Sequence, residues 1–252
     1  MNRPLAIITG GTKGIGEAAA FELAGSFDLA LIYHSDEAGA TEAVAKIKLK
    51  DSDSRILAYK SDITKHSEIK VTYDKIKKNF GCSPQVLINS AGKSSPCLAM
   101  MEAMQSFRDM IEVNYLGAVN LTKLVVKDMC KNNFGRVINI SSSSAADALA
   151  GHAAYSSSKV ALEKFGAILG GEVAKYGVTV NSVRSGLVAT KMTENWLESF
   201  DKNSKEYISI LGPSGKLIER ESVAKAIAYL VNAPQTNCSI FTVDGGYSEF
   251  KS

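Results

Sequence analysis

The chain has 252 residues and is 45% hydrophobic, which is enough apolar material for the core of one large α/β domain. Its 29 basic and 26 acidic side chains leave a formal charge of +3, with no long run of Lys or Arg, so nucleic acid and anionic membrane surfaces are not expected partners. No uncharged apolar stretch approaches the roughly 18 residues that a membrane span needs.

Met1-Asn2-Arg3-Pro4 passes directly into the apolar run Leu5–Thr9, which leaves no room for a signal peptide with a small-residue cleavage site. Further short apolar runs follow at Leu29–Tyr33, Ile56–Tyr59, Val86–Asn89, Val137–Ile140, Val178–Val183 and Ile240–Val243. Most are continuous rather than alternating, as strands buried on both faces read. Between them, apolar residues at i, i+3 and i+4 predict helices over Ile15–Gly25, Ala38–Lys50, Ser67–Phe80, Ser106–Lys131, Ala154–Lys175 and Glu221–Asn232. This alternation predicts one domain over residues 1–252: a doubly wound parallel sheet of about seven strands with helices on both faces, a Rossmann fold. Lys191 to Lys216 fits the scheme poorly. It mixes Trp196, Phe200, Tyr207 and Ile208 with charges, and is a candidate lid over a ligand site. Cys82, Cys97, Cys130 and Cys238 are scattered, with no C-x-x-C and no His at ligand spacing. Reduced thiols, no metal and a cytoplasmic location are therefore expected.

The segment "IITGGTKGIGEAAAFELA" is a strand, a glycine-rich turn and a helix, with Gly10, Gly14 and Gly16 in a G-x-x-x-G-x-G spacing. Glycines let backbone approach a phosphate closely, and a helix N-terminus presents free N–H groups and the positive end of its dipole. Tyr155 and Lys159 stand four apart and share a helix face. An ammonium beside a phenol favours the phenolate, so a lowered Tyr155 pKa is expected.

Thr9-Gly10-x-x-x-Gly14-Ile15-Gly16 resembles the cofactor turn of the short-chain dehydrogenase/reductase family, and further matches follow in order: Asp62-Ile63, Asn89-Ser90-Ala91-Gly92, Asn114, Tyr155-x-x-x-Lys159, "NSVRSGLVATKM" and Val243-Asp244-Gly245-Gly246. Together they span essentially the whole chain. The 3-oxoacyl-[acyl-carrier-protein] reductases are the branch it most resembles, in length, in "GRVINISS" and in "VDGG". The resemblance implies hydride transfer from a nicotinamide to a carbonyl. It assigns Tyr155 as proton donor and Lys159 to the phenol and the nicotinamide ribose. Ser142, thirteen residues before Tyr155, polarises the carbonyl, and Asn114 orders a water. Thr9, Thr12, Asn89, Ala91, Gly92, Gly186, Val188 and Thr190 join the cofactor set, with Asp62 and Ile63 against the adenine. Asp62 reads equally as a capping residue, and Asn89 as a strand-pinning one. Ser141 is expected to face away from Ser142, Ser143 and Ser144 to begin a loop, and Ser156, Ser157 and Ser158 to have no role.

NADP(H) is the expected cofactor and NAD(H) the alternative. His34 and Ser35 stand where NAD-preferring folds end the second strand with a carboxylate, and Lys13 sits inside the glycine turn, although Asp36-Glu37 lie close by. The resemblance implies first a 3-oxoacyl-[acyl-carrier-protein] reductase-like enzyme acting on a substrate bound to an acyl carrier protein, then a reductase of a small free ketone, steroid, sugar or specialised biosynthetic intermediate, and last a non-catalytic dinucleotide-binding scaffold. Lys131 and Lys175 make only a thin basic patch for such a carrier. Where the family usually reads Pro-Gly, this chain has Ser185-Gly186, which restores an N–H and frees a backbone angle. A homotetramer or homodimer, packed through Ser106–Lys131 and Ala154–Lys175, is implied as well. The run Gly166 to Gly171 would allow close approach either to a second chain or to the chain's own sheet.

Overall fold

The computed structural model describes residues 3–198, 200–202, 204 and 209–249. Tyr207 and Ile208 of the candidate lid lie outside them. Seven strands form a single parallel sheet: β1 Leu5–Thr9, β2 Asp28–Tyr33, β3 Ile56–Lys60, β4 Val86–Asn89, β5 Gly135–Ser142, β6 Val178–Ser185 and β7 Ile240–Val243. Their order is β3-β2-β1-β4-β5-β6-β7. The helices are α1 Gly14–Leu23, α2 Glu37–Lys50, α3 His66–Phe80, α4 Met104–Ile111, α5 Gly117–Lys131, α6 Ala153–Val173, α7 Lys191–Leu197 and α8 Arg220–Val231.

The two faces of β1 show why its run is continuous. Ala6 and Ile8 pack against Ala19 and Leu23 of α1, Ile47 of α2 and Ile227 of α8. Leu5 and Ile7 pack on the other side, against Ile69 and Ile76 of α3 and Val125 and Met129 of α5. All four strand residues are fully buried. A strand covered by helices on both faces has no position left for a polar alternation.

The predicted helix over Ser106–Lys131 is two helices. Residues Glu112–Leu116 widen into a π-turn between α4 and α5, and Asn114 sits in it, buried. Strands β5 and β6 run two residues past their predicted ends, to Ser142 and Ser185, which pair with each other. Ser185 also pairs with Val243, and the Gly186 N–H donates to the Val243 carbonyl at 2.9 Å. Ser185 therefore continues β6 rather than loosening its exit. The small residues of α6 serve the chain's own packing. A Cβ on Gly166 would stand 2.7 Å from Asn139 Nδ2, and one on Gly170 the same distance from Asn237 Oδ1.

The chain reverses direction between β1 and β4, so a crevice opens there at the carboxyl ends of the strands. Asn89 pins the floor of that crevice: its amide donates to Asn139 Oδ1 on β5 and to Thr122 Oγ1 on α5, both at 2.9 Å. We expect Asn89→Ala to lose about 1–3 kcal/mol of stability, because two buried partners lose their donor. Urea unfolding measures this, and an unchanged midpoint would contradict it.

Candidate active site

The turn after β1 is shaped by what its glycines permit. Gly10 has φ +63°, in the left-handed region. At Gly16 a Cβ would fall 2.3 Å from the Gly10 carbonyl oxygen, so only glycine lets α1 start this close to the turn. Lys13 occupies the N-cap position with no side-chain capping bond, which leaves the first N–H groups of α1 free for an anion. Thr9 is buried and supports the turn from behind, its Oγ1 accepting from the N–H groups of Ser90 and Ala91 at 3.1 Å.

A cavity of about 610 Å³ opens above β1 to β4. Gly10, Thr12 and Lys13 border it from the first turn, His34, Ser35 and Asp36 from the end of β2, Asp62 and Ile63 from β3, and Ala91 and Gly92 from β4. Asp62 proves to be both a lining and a capping residue. Its Oδ1 accepts from the N–H and hydroxyl of Thr64, while Oδ2 stands 4.0 Å from His34 Nε2. Burial alone would push this carboxyl up, but the Thr64 bonds and the nearby His34 and Lys65 hold it below its ordinary value. Asp36 turns Oδ1 to the Gly39 N–H at the start of α2.

A second cavity, of about 170 Å³, lies over the ends of β5 and β6. Ser142, Tyr155, Gly186, Val188, Thr190 and Ile15 all border it. Thr190 caps α7 and faces Gly14, where a Cβ would meet its Cγ2 at 3.3 Å. The candidate lid is closed at its base by the Val188–Ile218 bridge, with Ala189 N–H donating to Ile218 O at 2.9 Å and Ile218 N–H to Leu187 O at 2.8 Å.

Ser142 and Tyr155 border the smaller cavity, and Lys159, one turn further along α6, stands against Gly92 of the larger. Ser142 Oγ accepts from the Ser144 N–H at 3.2 Å and from the Ser144 hydroxyl at 2.9 Å. Its own proton is thereby free to point toward the Tyr155 phenol. Burial pushes the Tyr155 hydroxyl above its ordinary pKa, and the bond from Ser142 draws it partly back. The expected lowering by Lys159 is thus not what the protein alone provides. The Lys159 ammonium sits 5.7 Å from the phenol ring centroid and donates instead to the Ile140 carbonyl at 2.8 Å. Lys159 is only 4% exposed, and burial lowers its pKa to about 8, against a smaller upward pull from Glu163. Gly92 keeps the space before it open: a side chain there would meet Asn114 Oδ1 at 3.2 Å and Lys159 Nζ at 3.6 Å.

Asn114 is clamped. Its Oδ1 accepts from the Lys93 N–H at 2.8 Å, and its Nδ2 donates to the Lys93 carbonyl and to Ser158 Oγ, both at 3.0 Å. Ser158, expected to be idle, donates in turn to the Tyr155 carbonyl at 2.6 Å and so joins Asn114 to the helix that bears Tyr155 and Lys159. Sequence reasoning also passed over Glu163, whose Oε1 takes the Ser141 hydroxyl at 2.6 Å and which forms a two-point ion pair with Arg184 at 2.8 and 2.7 Å. Ser141 does face away from Ser142, as strand alternation requires. The uncapped start of α1, the clear space at Gly92 and the absence of a carboxylate at residues 33–35 fit a dinucleotide with its phosphates on the glycine turn.

A family model described as short chain dehydrogenase matches residues 4–200. The chain belongs to that family. A 3-oxoacyl-[acyl-carrier-protein] reductase of Haemophilus influenzae is 32% identical over 232 residues, 92% of each protein. Carbonyl reductase family member 4 of Xenopus laevis is 31% identical over 240 residues, 95% of each. Among solved structures, an actinorhodin polyketide ketoreductase variant with NADPH superposes with TM-score 0.90 at 26% identity, covering 98% of both chains. A levodione reductase shares the fold, with TM-score 0.92 at 22% identity and the same coverage. The chain is therefore a short-chain dehydrogenase/reductase, an oxidoreductase built to use a nicotinamide dinucleotide. No helix among the described residues is long and apolar enough to cross a membrane, and no group of three His, Cys, Asp or Glu among them could hold a metal ion.

The clamp at Asn114 is open to test. Ser158→Ala should cost about 1 kcal/mol of stability. Added to Asn114→Ala it should cost clearly less than the sum of the two, since both break one bond. Strict additivity of unfolding free energies would show that the link carries nothing.

Proposed function

We propose that the protein is an NADPH-dependent carbonyl reductase. The observation that carries the reading is the grouping of Ser142 and Tyr155 on a smaller, largely apolar cavity with Lys159 against Gly92 of a dinucleotide-sized cleft. A bound NADPH, held by the turn from Gly10 to Gly16 and by the residues that line the larger cleft, would supply the hydride for the carbonyl carbon. Tyr155 gives its proton to the carbonyl oxygen, so the C=O bond becomes an alcohol. Ser142 donates to the same oxygen and stabilises charge as it develops. Burial keeps the phenol protonated until that charge appears, and the Lys159 ammonium then stabilises the phenolate left behind. The Tyr155 phenolate takes its proton back by way of Lys159, and Asn114, held by Lys93 and Ser158, orders a water that restores the proton to Lys159 from solvent.

NADPH over NADH is supported by the absence of a carboxylate from the end of β2 until Asp36, whose Oδ1 is engaged at the α2 N-terminus. His34 and Lys13 flank the space a 2′-phosphate would take. A free ketone is favoured over an acyl-carrier substrate. Lys131 and Lys175 precede β5 and β6, at the strand ends opposite Ser142, and Lys131 stands 3.5 Å from Asp128. The outer faces of α5 and α6 support self-association as a homotetramer or homodimer, because Val160 and Ile168 are exposed beside the Tyr115–Phe165 ring pair.

Tyr155→Phe should reduce turnover by at least a thousandfold while NADPH binding, followed by its fluorescence, stays within about threefold. Undiminished turnover would remove Tyr155 from the mechanism. The pH profile has a definite sign. Lys159 loses its proton as pH rises through about 8. Accordingly kcat/KM for reduction should be level on the acid side and fall above that value, since it reports the free enzyme. A profile flat to strongly alkaline pH would contradict this. A kcat/KM for NADH above that for NADPH would overturn the cofactor assignment.

A further inference from the structure

Behind Lys159 lies a buried ion pair that the mechanism does not use. Glu163 stands one turn further along α6 and is only 6% exposed. Its Oε1 accepts from the Ser141 hydroxyl at 2.6 Å and from Arg184 Nε at 2.8 Å, and its Oε2 accepts from Arg184 Nη2 at 2.7 Å. An ionised carboxylate can only accept, and here every bond is accepted. The pair is tied to Lys159 through adjacent residues of β5. Lys159 donates to the Ile140 carbonyl at 2.8 Å, and the next residue, Ser141, donates to Glu163. A buried cation and a buried anion thus stand one helical turn and one strand residue apart, while the anion's own ion pair is with Arg184 of β6.

A staple between α6 and β6 would need no charge. Well-packed apolar residues commonly replace a buried ion pair without loss. What they would not supply is a field at Lys159. The polar groups around that ammonium come from four directions. On α6, Tyr155 and Glu163 stand one turn to either side. β5 brings the Ile140 carbonyl and the hydroxyls of Ser141 and Ser142, and the π-turn brings the neutral amide of Asn114. Toward the larger cavity, Asp109 holds the Lys93 ammonium at 2.8 Å, and Glu112 borders the same space. β6 brings Arg184, which Glu163 engages and on which Asp147 also acts. Of these, Glu163 is the group whose charge strengthens the hold of Lys159 on its proton, against the larger effect of burial.

We propose that Glu163 is a positioning residue of the reaction: held by Ser141 and Arg184, its carboxylate is the fixed negative charge that keeps the buried Lys159 ammonium charged, and Arg184 moderates it. The inference rests on the carbonyl-reductase reading, in which that ammonium stabilises the Tyr155 phenolate and passes it a proton. Without the carboxylate, the same burial would leave Lys159 neutral at a lower pH, with neither charge nor proton to give. With the carboxylate unshared, the ammonium would hold its proton more tightly.

The test follows the titration of Lys159 in the free protein by NMR of its ε-methylene group, assigned with Lys159→Arg. Beside it runs the pH profile of kcat/KM for reduction of ethyl acetoacetate with NADPH. Glu163→Gln keeps the side chain's shape and loses its charge, so the midpoint should fall by about one pH unit. Arg184→Met removes the counter-charge and should raise the midpoint by about half a unit. A staple alone would move neither, or both in one direction. If the unpaired Arg184 prevents Glu163→Gln from folding, the double variant Glu163→Gln/Arg184→Met buries no unpaired ion. Its midpoint should lie about one unit or more below that of Arg184→Met. An unchanged midpoint in either comparison, or single variants that shift the same way, overturns the proposal. Should ethyl acetoacetate not be turned over, the NMR midpoints decide alone. If they move as expected while the alkaline limb of kcat/KM does not follow, Glu163 still sets Lys159, and it is the carbonyl-reductase reading that loses its use of that lysine.

Discussion

The hydrogen bond from the Lys159 ammonium to the Ile140 carbonyl sets the rest of the site. A cation only 4% exposed needs a strong acceptor, and a strand carbonyl 2.8 Å away supplies one. Because the carbonyl belongs to β5, the bond fixes the register of α6 on the sheet. Ser142 lies two residues further along that strand, on the cavity side, and Tyr155 lies one turn earlier on that helix. One contact therefore helps to set the distance between the two hydroxyls, Ser142 and Tyr155, that are proposed to address the substrate oxygen. The reverse side of the junction is also tied. Ser141 reaches Glu163, one turn beyond Lys159, and Glu163 holds Arg184 of β6. Three successive positions of β5 thus secure the helix at Lys159, secure it again at Glu163, and present a hydroxyl to the cavity.

The same burial that demands this bond tunes the chemistry. It favours the neutral form of every ionisable group it encloses, and so raises the Tyr155 pKa and lowers that of Lys159. The two shifts move a phenol and an ammonium apart on the pH scale, the phenol rising from 10.0 and the ammonium falling from 10.5 to about 8, so that the ammonium becomes the stronger acid of the two. Sequence reasoning expected the ammonium, together with a nicotinamide cation in the oxidised complex, to lower the phenol. Desolvation, which depends on how completely the fold covers Tyr155, outweighs it.

How much of this the sequence held depends on the scale of the interaction. Continuous apolar runs identified all seven strands, the inner ones because burial on both faces leaves no alternation to misread, and the edge strand β7 even though Ile240 and Phe241 are exposed. The runs stopped short at Ile140 and Val183, since the next residues, through Ser142 and Ser185, are mostly polar. Polarity is what the carboxyl ends of these strands require, because they face the cleft. The interruption at Glu112–Leu116 was invisible, as a π-turn changes the hydrogen-bond partner without changing the apolar period. Ser158 did carry a signal. A serine inside a helix tends to bond a carbonyl three or four residues back, and here that carbonyl is Tyr155's. Its second partner, Asn114, is 44 residues away and only the fold brings it near.

The division into two cavities follows from the same topology. Loops after β1 to β4 leave the sheet on the side of the reversal and enclose the larger space, while those after β5 and β6 enclose the smaller one. The larger is lined by glycine, backbone and charged side chains, and the smaller by rings, aliphatics and hydroxyls. Charge on a ligand is therefore sorted before any reaction. The charged part of a dinucleotide suits the first, and an uncharged nicotinamide ring suits the second, where Gly186, Val188 and Thr190 stand. Tyr155 and Ser142 border the smaller space, and Lys159 stands behind them next to Gly92 of the larger. The proposed proton donor, Tyr155, thus borders the less polar space, where charge developing on a substrate oxygen would be most costly and its stabilisation worth most.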